Sequence, residues 1–212
     1  MSEPDATSEL AETTELAATS ELAATSGGHR RALVVTASNR AAAGVYTDRG
    51  GPLLADGLRE LGFAVDGPVV VRDGGPVEAA LREAVSLGYD VVLTTGGTGL
   101  SSSDTTPEAT RRVIDKEVPG IAEAIRARGT AAGVGTAALS RGVAGLAGRT
   151  LIVNVAGSTG ACRDALGVLG GVLTHAVEQI HGADHPSAGS GPTAISGAGP
   201  FSGAGPFSGV GP

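Results

Sequence analysis

The stretch from Thr94 to Glu108, TTGGTGLSSSDTTPE, constrains the fold more than any other part of the chain. The apolar, β-branched run that ends at Leu93 predicts a buried strand directly before it. After the glycines, Thr106 is a favourable N-cap and Pro107 suits the first position of a helix. The stretch therefore predicts a strand, a glycine-rich loop and a helix in that order, which is a building unit of α/β folds.

The same junction predicts an anion site. Gly96, Gly97 and Gly99 have no side chains to block the backbone, so successive amide N–H groups can approach a phosphate closely. The carboxylate of Asp104 would repel that phosphate unless a divalent cation lay between them. The physical interpretation is a phosphate together with Mg²⁺. The alternative is an ordinary turn with a polar rim, which the four residues GGTG alone do not exclude.

Charge is concentrated outside the central part of the chain. Six of the 22 acidic residues precede Gly27 and one follows Gly182, whereas the 15 Lys and Arg balance the remaining acids. The sequence contains no basic block and no aromatic platform, so it does not predict a surface that binds nucleic acid. A six-residue repeat without an apolar stripe predicts a disordered acidic arm over residues 1–29 that is not a secretory signal, and repeated SGAGPF predicts a disordered tail rich in Gly, Pro and Ser over residues 183–212.

Several segments in sequence order resemble the molybdopterin-binding family of molybdenum cofactor biosynthesis proteins. They are TTGGTGLSSSDTTPEAT, VVTASNRAAAGVYTDRGGPLL from Val34, VVVRDGGPVEAAL from Val69, and LSRGVAGLAGRTLIVNVAG from Leu139. The resemblance covers residues 30–182 and implies one molybdopterin-binding domain there. It also implies a three-layer αβα sandwich with a mostly parallel central sheet, a homotrimer, and a site at the carboxyl edge of the sheet, where open α/β sheets bind ligands.

The resemblance also implies site residues. Asp73 matches a catalytic aspartate of the family and is expected beside Asp104, so that both carboxylates would hold Mg²⁺. As a lone residue before glycine, Asp73 is also a common turn former. In the family the serine that matches Ser140 lies near the pterin, and Arg141 suits a phosphate or carboxylate partner. The substrate-binding residues that the match implies are Ser38, Gly96, Gly97, Thr98, Gly99, Ser140, Arg141 and Gly157.

The chain departs from the family pattern at a few positions. Asn39 stands where the family usually has Asp, Ala156 and Thr159 replace two prolines, and Ser102 and Ser103 stand where a proline and a basic residue are common. Loss of the prolines predicts a looser second glycine-bearing loop. Loss of the basic residue predicts a weaker attraction for phosphate.

The implied reaction is adenylyl transfer from Mg·ATP to the terminal phosphate of molybdopterin, with release of pyrophosphate. The single Cys162 suits a reducing cytoplasm, and no membrane association is expected. One alternative is a catalytically inactive molybdopterin-binding paralogue, which the departures favour. A second is another enzyme on this fold, such as the nicotinamide-nucleotide amidase group, whose loop has leucine where Thr98 stands. A third is a scaffold whose tails recruit other cofactor-assembly proteins.

Two further predictions concern elements that flank the site. The segment from Thr136 to Arg141 is interpreted as a short strand. The apolar stripe from Leu166 to Ile180 predicts a single closing helix.

Overall fold

Six strands form one mixed sheet in the computed structural model, which describes residues 30–182. The strands are β1 (Arg31–Ala37), β2 (Ala64–Val71), β3 (Val91–Thr95), β4 (Lys116–Glu117), β5 (Ala144–Ala147) and β6 (Thr150–Val155). Their order across the sheet is β2-β1-β3-β6-β5-β4. The first four in this order run parallel, and β5 and β4 are each antiparallel to the neighbour before them. The predicted terminal arm and tail lie outside the described residues.

Helices cover both faces of this sheet. They are α1 (Asn39–Ala42), α2 (Gly50–Glu60), α3 (Gly75–Ser86), α4 (Thr106–Arg111), α5 (Pro119–Ala131), α6 (Thr159–Leu169) and α7 (Leu173–Ile180), with a 3₁₀ helix at Gly135–Leu139. None of the helices in residues 30–182 combines the length and the apolar character needed to cross a membrane.

Two apolar cores, one on each face of the sheet, hold the layers together. Because successive side chains of a strand point to opposite faces, Val34 enters one core while Leu33 and Val35 enter the other. The first core also contains Leu54 of α2 and residues of α6 and α7, and the second contains Leu81 of α3 and part of α4. The predicted three-layer αβα sandwich with a mostly parallel sheet is confirmed.

The parallel strands end together at one edge of the sheet. Thr95, near the end of β3, is level with Thr36 of β1 on one side and with Val155 of β6 on the other. Val71, at the end of β2, pairs with Ala37. The loops that follow these four strands therefore meet at the carboxyl edge.

Two of the predicted secondary-structure elements are wrong. The segment predicted as a strand from Thr136 is instead the 3₁₀ helix, after which Ser140 is extended, because two of its residues are alanines, which are depleted in strands. The predicted closing helix is two helices, α6 and α7, separated by a turn that contains Gly170 and Gly171. Glycine in a helix interior costs about 1 kcal/mol relative to alanine, so a pair of glycines favours a break.

Asn154 is a buried polar residue of β6 that joins three elements beneath the carboxyl edge. Its Nδ2 donates to the hydroxyls of Thr94 (3.0 Å) and Thr110 (2.9 Å), and its Oδ1 accepts from the backbone N–H of Val143 (3.2 Å).

Replacing Asn154 by Leu leaves these buried groups unpaired, so we expect Asn154→Leu to lower the free energy of unfolding by about 2–4 kcal/mol, measured by denaturant titration. Ile152→Val, in the same strand, is the control, with an expected loss of about 1 kcal/mol. An equal loss in both variants would contradict a special role for this network.

Candidate active site

A cavity of about 960 Å³ opens at the carboxyl edge of the sheet. The ends of β1 and β3 and the loops that follow β1, β2, β3 and β6 contribute to its walls. Of the ten residues predicted for the site, those that line it are Ser38, Asp73, Gly96, Gly97, Thr98, Gly99, Asp104, Ser140 and Gly157. Arg141 is not part of this lining. The topology thus places residues from separate segments of the chain around one cavity.

Bare backbone forms the floor of the cavity. Gly96 and Gly97 have positive φ angles of 93° and 61°, a conformation that other residues adopt only with strain. A Cβ atom at Gly97 would also collide with the Thr106 hydroxyl and the Asp73 carboxylate. Gly157 approaches from the second glycine-bearing loop, where an added Cβ would lie 3.3 Å from the Cα of Gly96.

Three consecutive amides of this floor are unpaired. The N–H of Gly96 donates to the carbonyl of Val155 (3.0 Å). The N–H groups of Gly97, Thr98 and Gly99 donate to no acceptor within residues 30–182. Backbone amides seldom stay unpaired in a protein interior, and successive free amides form a concave site for an anion. The floor therefore supplies the donors that a phosphate requires.

Asp73 and Asp104 each have one oxygen held and one free. Oδ1 of Asp73 accepts from the Thr106 hydroxyl (3.0 Å) and the Thr105 N–H (3.3 Å). Oδ2 of Asp104 accepts from the Ser101 N–H (2.9 Å). The second oxygen of each accepts no hydrogen bond from the part of the chain that the structure describes. Thr106, predicted as the N-cap of α4, is instead its first residue and uses its hydroxyl to orient Asp73.

These two carboxylates fit a Mg²⁺ ion. No group of three or more His, Cys, Asp or Glu side chains in residues 30–182 forms a metal cage. Mg²⁺ is commonly held by only one or two carboxylates and completes its octahedral shell with water and substrate phosphate oxygens. Two free carboxylate oxygens on the lining of a cavity with an amide floor match this requirement.

Ser140 and Ser38 line the cavity through different contacts. The Ser140 hydroxyl donates to the hydroxyl of Thr98 at 3.4 Å, and Thr98 is not a base. Ser38 caps α1, where its hydroxyl accepts from the N–H of Ala41 (3.1 Å). A hydroxyl without an adjacent base is a poor nucleophile, so the arrangement of Ser140 suits binding rather than covalent catalysis.

Arg141 faces the glycine-rich loop from outside the cavity. Its guanidinium donates to the carbonyl oxygens of Gly99 (2.8 Å) and Asp104 and pairs with the carboxylate of Glu108. Burial is the largest single influence on the pKa of Glu108 and raises it, but the hydrogen bond from Arg141, a backbone hydrogen bond and the positive charges of Arg141 and Arg111 together outweigh burial, so the pKa is lowered. The predicted substrate contact of Arg141 stays a prediction.

Asp48 is a lining residue that the predicted site omitted, although it lies in the segment from Val34 that resembles the family. Its Oδ2 accepts from the Thr36 hydroxyl (2.7 Å), and its Oδ1 accepts from the N–H groups of Gly50 and Gly51 (3.0 Å each). Asp48 thus fixes the start of α2 to β1. Nearby, burial raises the pKa of the Cys162 thiol, which stays neutral and packs in the core.

An apolar rim of the cavity was also missed. Its four exposed side chains are Tyr46, Leu100, Val134 and Leu139, with exposed fractions of 53%, 68%, 49% and 53%. Tyr46 and Leu100 lie in two separate loops, whereas Val134 and Leu139 lie at the two ends of the 3₁₀ helix. Exposed apolar side chains grouped around one cavity are typical of a binding site. The sequence offers no signal for them, because a leucine in a loop is not distinguished from a core leucine by its neighbours.

Comparison with known proteins identifies the family. A family model described as a probable molybdopterin binding domain matches residues 33–175. The molybdopterin adenylyltransferase of Haemophilus influenzae is 38% identical over 137 residues, which are 63% of this chain and 69% of that protein. The structure of the molybdopterin biosynthesis Mog protein from Mycobacterium ulcerans is 48% identical, with a TM-score of 0.69 over 74% of this chain and 99% of that one.

Some relatives are longer than this chain. A molybdenum cofactor biosynthesis bifunctional protein of Chlorobaculum tepidum is 36% identical over 159 residues, which are 74% of this chain and 50% of that protein. The chain thus spans about half the length of this relative.

Proposed function

The chain belongs to the family of probable molybdopterin binding domains, and from this premise we propose that it is a molybdopterin adenylyltransferase. The proposed reaction transfers the adenylyl group of Mg·ATP to the terminal phosphate of molybdopterin and releases pyrophosphate. The observation that carries the proposal is the run of unpaired amides from Gly97 to Gly99 in a cavity that also contains free carboxylate oxygens of Asp73 and Asp104.

The cavity would work mainly by holding two anionic substrates together. The free amides would donate to phosphate oxygens. They would stabilise the negative charge that shifts from the attacking phosphate to the leaving pyrophosphate during transfer. Oxygens of Asp73 and Asp104 would hold Mg²⁺, which when bound neutralises phosphate charge and orients the triphosphate. Ser140 and Ser38, on the same lining, would contact the second substrate.

The transfer needs no general base. An oxygen of the molybdopterin phosphate, already an anion, forms a bond to the α-phosphorus of ATP. The bond from that phosphorus to the oxygen bridging to the β-phosphate breaks, and its electron pair leaves with pyrophosphate. Catalysis of phosphoryl transfer rests mainly on positioning the reacting groups and stabilising their charge, which agrees with a site built from backbone amides and carboxylates.

A binding paralogue without turnover is the second candidate. Three of the positions at which the chain departs from the family pattern, Asn39, Ala156 and Thr159, line the cavity. Asn39 accepts from the N–H of Asp73 at 3.3 Å, a contact that an Asp at this position would also make, so this departure preserves the position of Asp73.

The homotrimer, the cytoplasmic location and contacts with other cofactor-assembly proteins stay predictions.

The proposal is tested by the release of pyrophosphate from Mg·ATP with and without molybdopterin. We expect release that depends on molybdopterin and is lost when EDTA removes Mg²⁺. Tight binding of molybdopterin without any release would support the binding paralogue instead. Absence of both binding and release would refute the two candidates together.

A further inference from the structure

Contacts at both ends of the loop that carries Asp104 point to a role for Arg141 that the family match does not imply. We propose that Arg141 is a positioning residue that holds the loop of residues 99–104 over the cavity, and that it acts on the reaction through Asp104 rather than by contacting substrate. The role in catalysis rests on the proposed function, whereas the effect on the loop does not.

The loop of residues 99–104 is closed on itself. The N–H of Ser101 donates to the Asp104 carboxylate (2.9 Å), and the N–H of Asp104 donates to the Ser101 carbonyl (3.0 Å). Leu100 is 68% exposed, so this part of the loop has little packing. Its position therefore depends on contacts made where it leaves and rejoins the body of the protein.

One guanidinium makes contacts at both of these points. Nε of Arg141 donates to the carbonyl of Gly99 (2.8 Å), where the loop begins, and a terminal nitrogen donates to the carbonyl of Asp104, where it ends. The backbone N–H of Arg141 donates to the carbonyl of Thr98 (2.9 Å). The planar guanidinium presents its donors at fixed angles, so it also fixes the spacing of the two loop ends.

Glu108 supplies the counter-charge. One of its oxygens pairs with Arg141, while the other is enclosed and has no hydrogen-bond partner in residues 30–182. Arg141 is therefore already neutralised by a side chain of α4, the helix that follows the loop. A guanidinium engaged in this way is poorly disposed to bind an anionic substrate and well disposed to join the loop to the helix.

Arg141→Lys and Arg141→Gln test this assignment. Lys keeps the positive charge but cannot reach both carbonyls with a planar fork. We expect hydrogen exchange of the amides of Ser101, Asp104 and Thr105 to rise about tenfold or more in both variants, because charge-assisted hydrogen bonds are lost. Arg59→Gln, at an exposed ion pair of α2, should leave the exchange unchanged. This measurement needs neither substrate nor activity, so its result is independent of the proposed function.

Kinetics then distinguish positioning from substrate contact. Positioning predicts a fall in kcat of about tenfold in both variants, with KM for ATP and molybdopterin changed less than about threefold. Wild-type exchange in Arg141→Lys, or a raised KM with unchanged kcat, would overturn the proposal. If the Arg141 variants fail to fold, Glu108→Gln tests the same contacts. Loss of the counter-charge to Arg141 should raise hydrogen exchange in the loop of residues 99–104. Unchanged exchange in this variant would overturn the proposal.

Discussion

Replacing Asp104 by Asn is expected to reduce kcat for pyrophosphate release about a hundredfold or more. The amide oxygen of Asn can still accept the hydrogen bond from the Ser101 N–H, which measures 2.9 Å in the native chain. The loop should therefore keep its shape while the free oxygen loses its negative charge and its affinity for Mg²⁺. Initial rates measured over a range of Mg²⁺ concentrations should show a lower maximum and a higher half-saturating concentration.

Asp56→Asn is the matched control for this substitution. Asp56 is an exposed carboxylate of α2 that pairs with Arg59 and does not line the cavity. We expect its variant to keep the wild-type rate and the wild-type dependence on Mg²⁺. Wild-type turnover in Asp104→Asn at every Mg²⁺ concentration would show that this carboxylate neither holds the cation nor orients the substrates.

The buried strands and the carboxyl edge of the sheet could be predicted from the sequence. The β-branched runs of β3 and β6 are buried along their whole length, as continuous apolar strands in a parallel sheet should be. The carboxyl edge follows from parallel pairing, so the placement of Asp73 and the glycine loop on one cavity could be anticipated once the sheet was assumed.

The contacts of single side chains could not be predicted in the same way. Thr106 is of a residue type that is favoured at N-caps, yet its hydroxyl donates a hydrogen bond to Asp73, which comes 33 positions earlier in the chain. Arg141 is of a residue type that commonly binds phosphate, and its observed contact with the carbonyl of Gly99 follows from the 3₁₀ helix that precedes it, which the sequence did not predict. Both outcomes depend on the packing of distant segments, which propensity and spacing do not describe.

Gly97→Ala is expected to reduce pyrophosphate release about a hundredfold and to lower the free energy of unfolding by about 2–3 kcal/mol. Two effects combine here. The φ of 61° strains any residue other than glycine, and the new methyl group would overlap the Thr106 hydroxyl and the Asp73 carboxylate. Asp73 must then move, and the amide of residue 97 moves with it. Rates and denaturant titrations on the same preparation measure both losses.

Gly148→Ala separates the backbone strain from the collision. Gly148 has a similar φ of 56°, lies in the turn between β5 and β6, and has no atom within 4 Å of an added Cβ. Its variant should lose only about 1 kcal/mol of stability and keep its rate. If the two variants lose the same stability and both keep wild-type turnover, the crowding around residue 97 has no functional consequence. A loss of rate confined to Gly97→Ala would instead attribute that loss to the displaced carboxylate and the disturbed amide floor, because backbone strain is common to both variants.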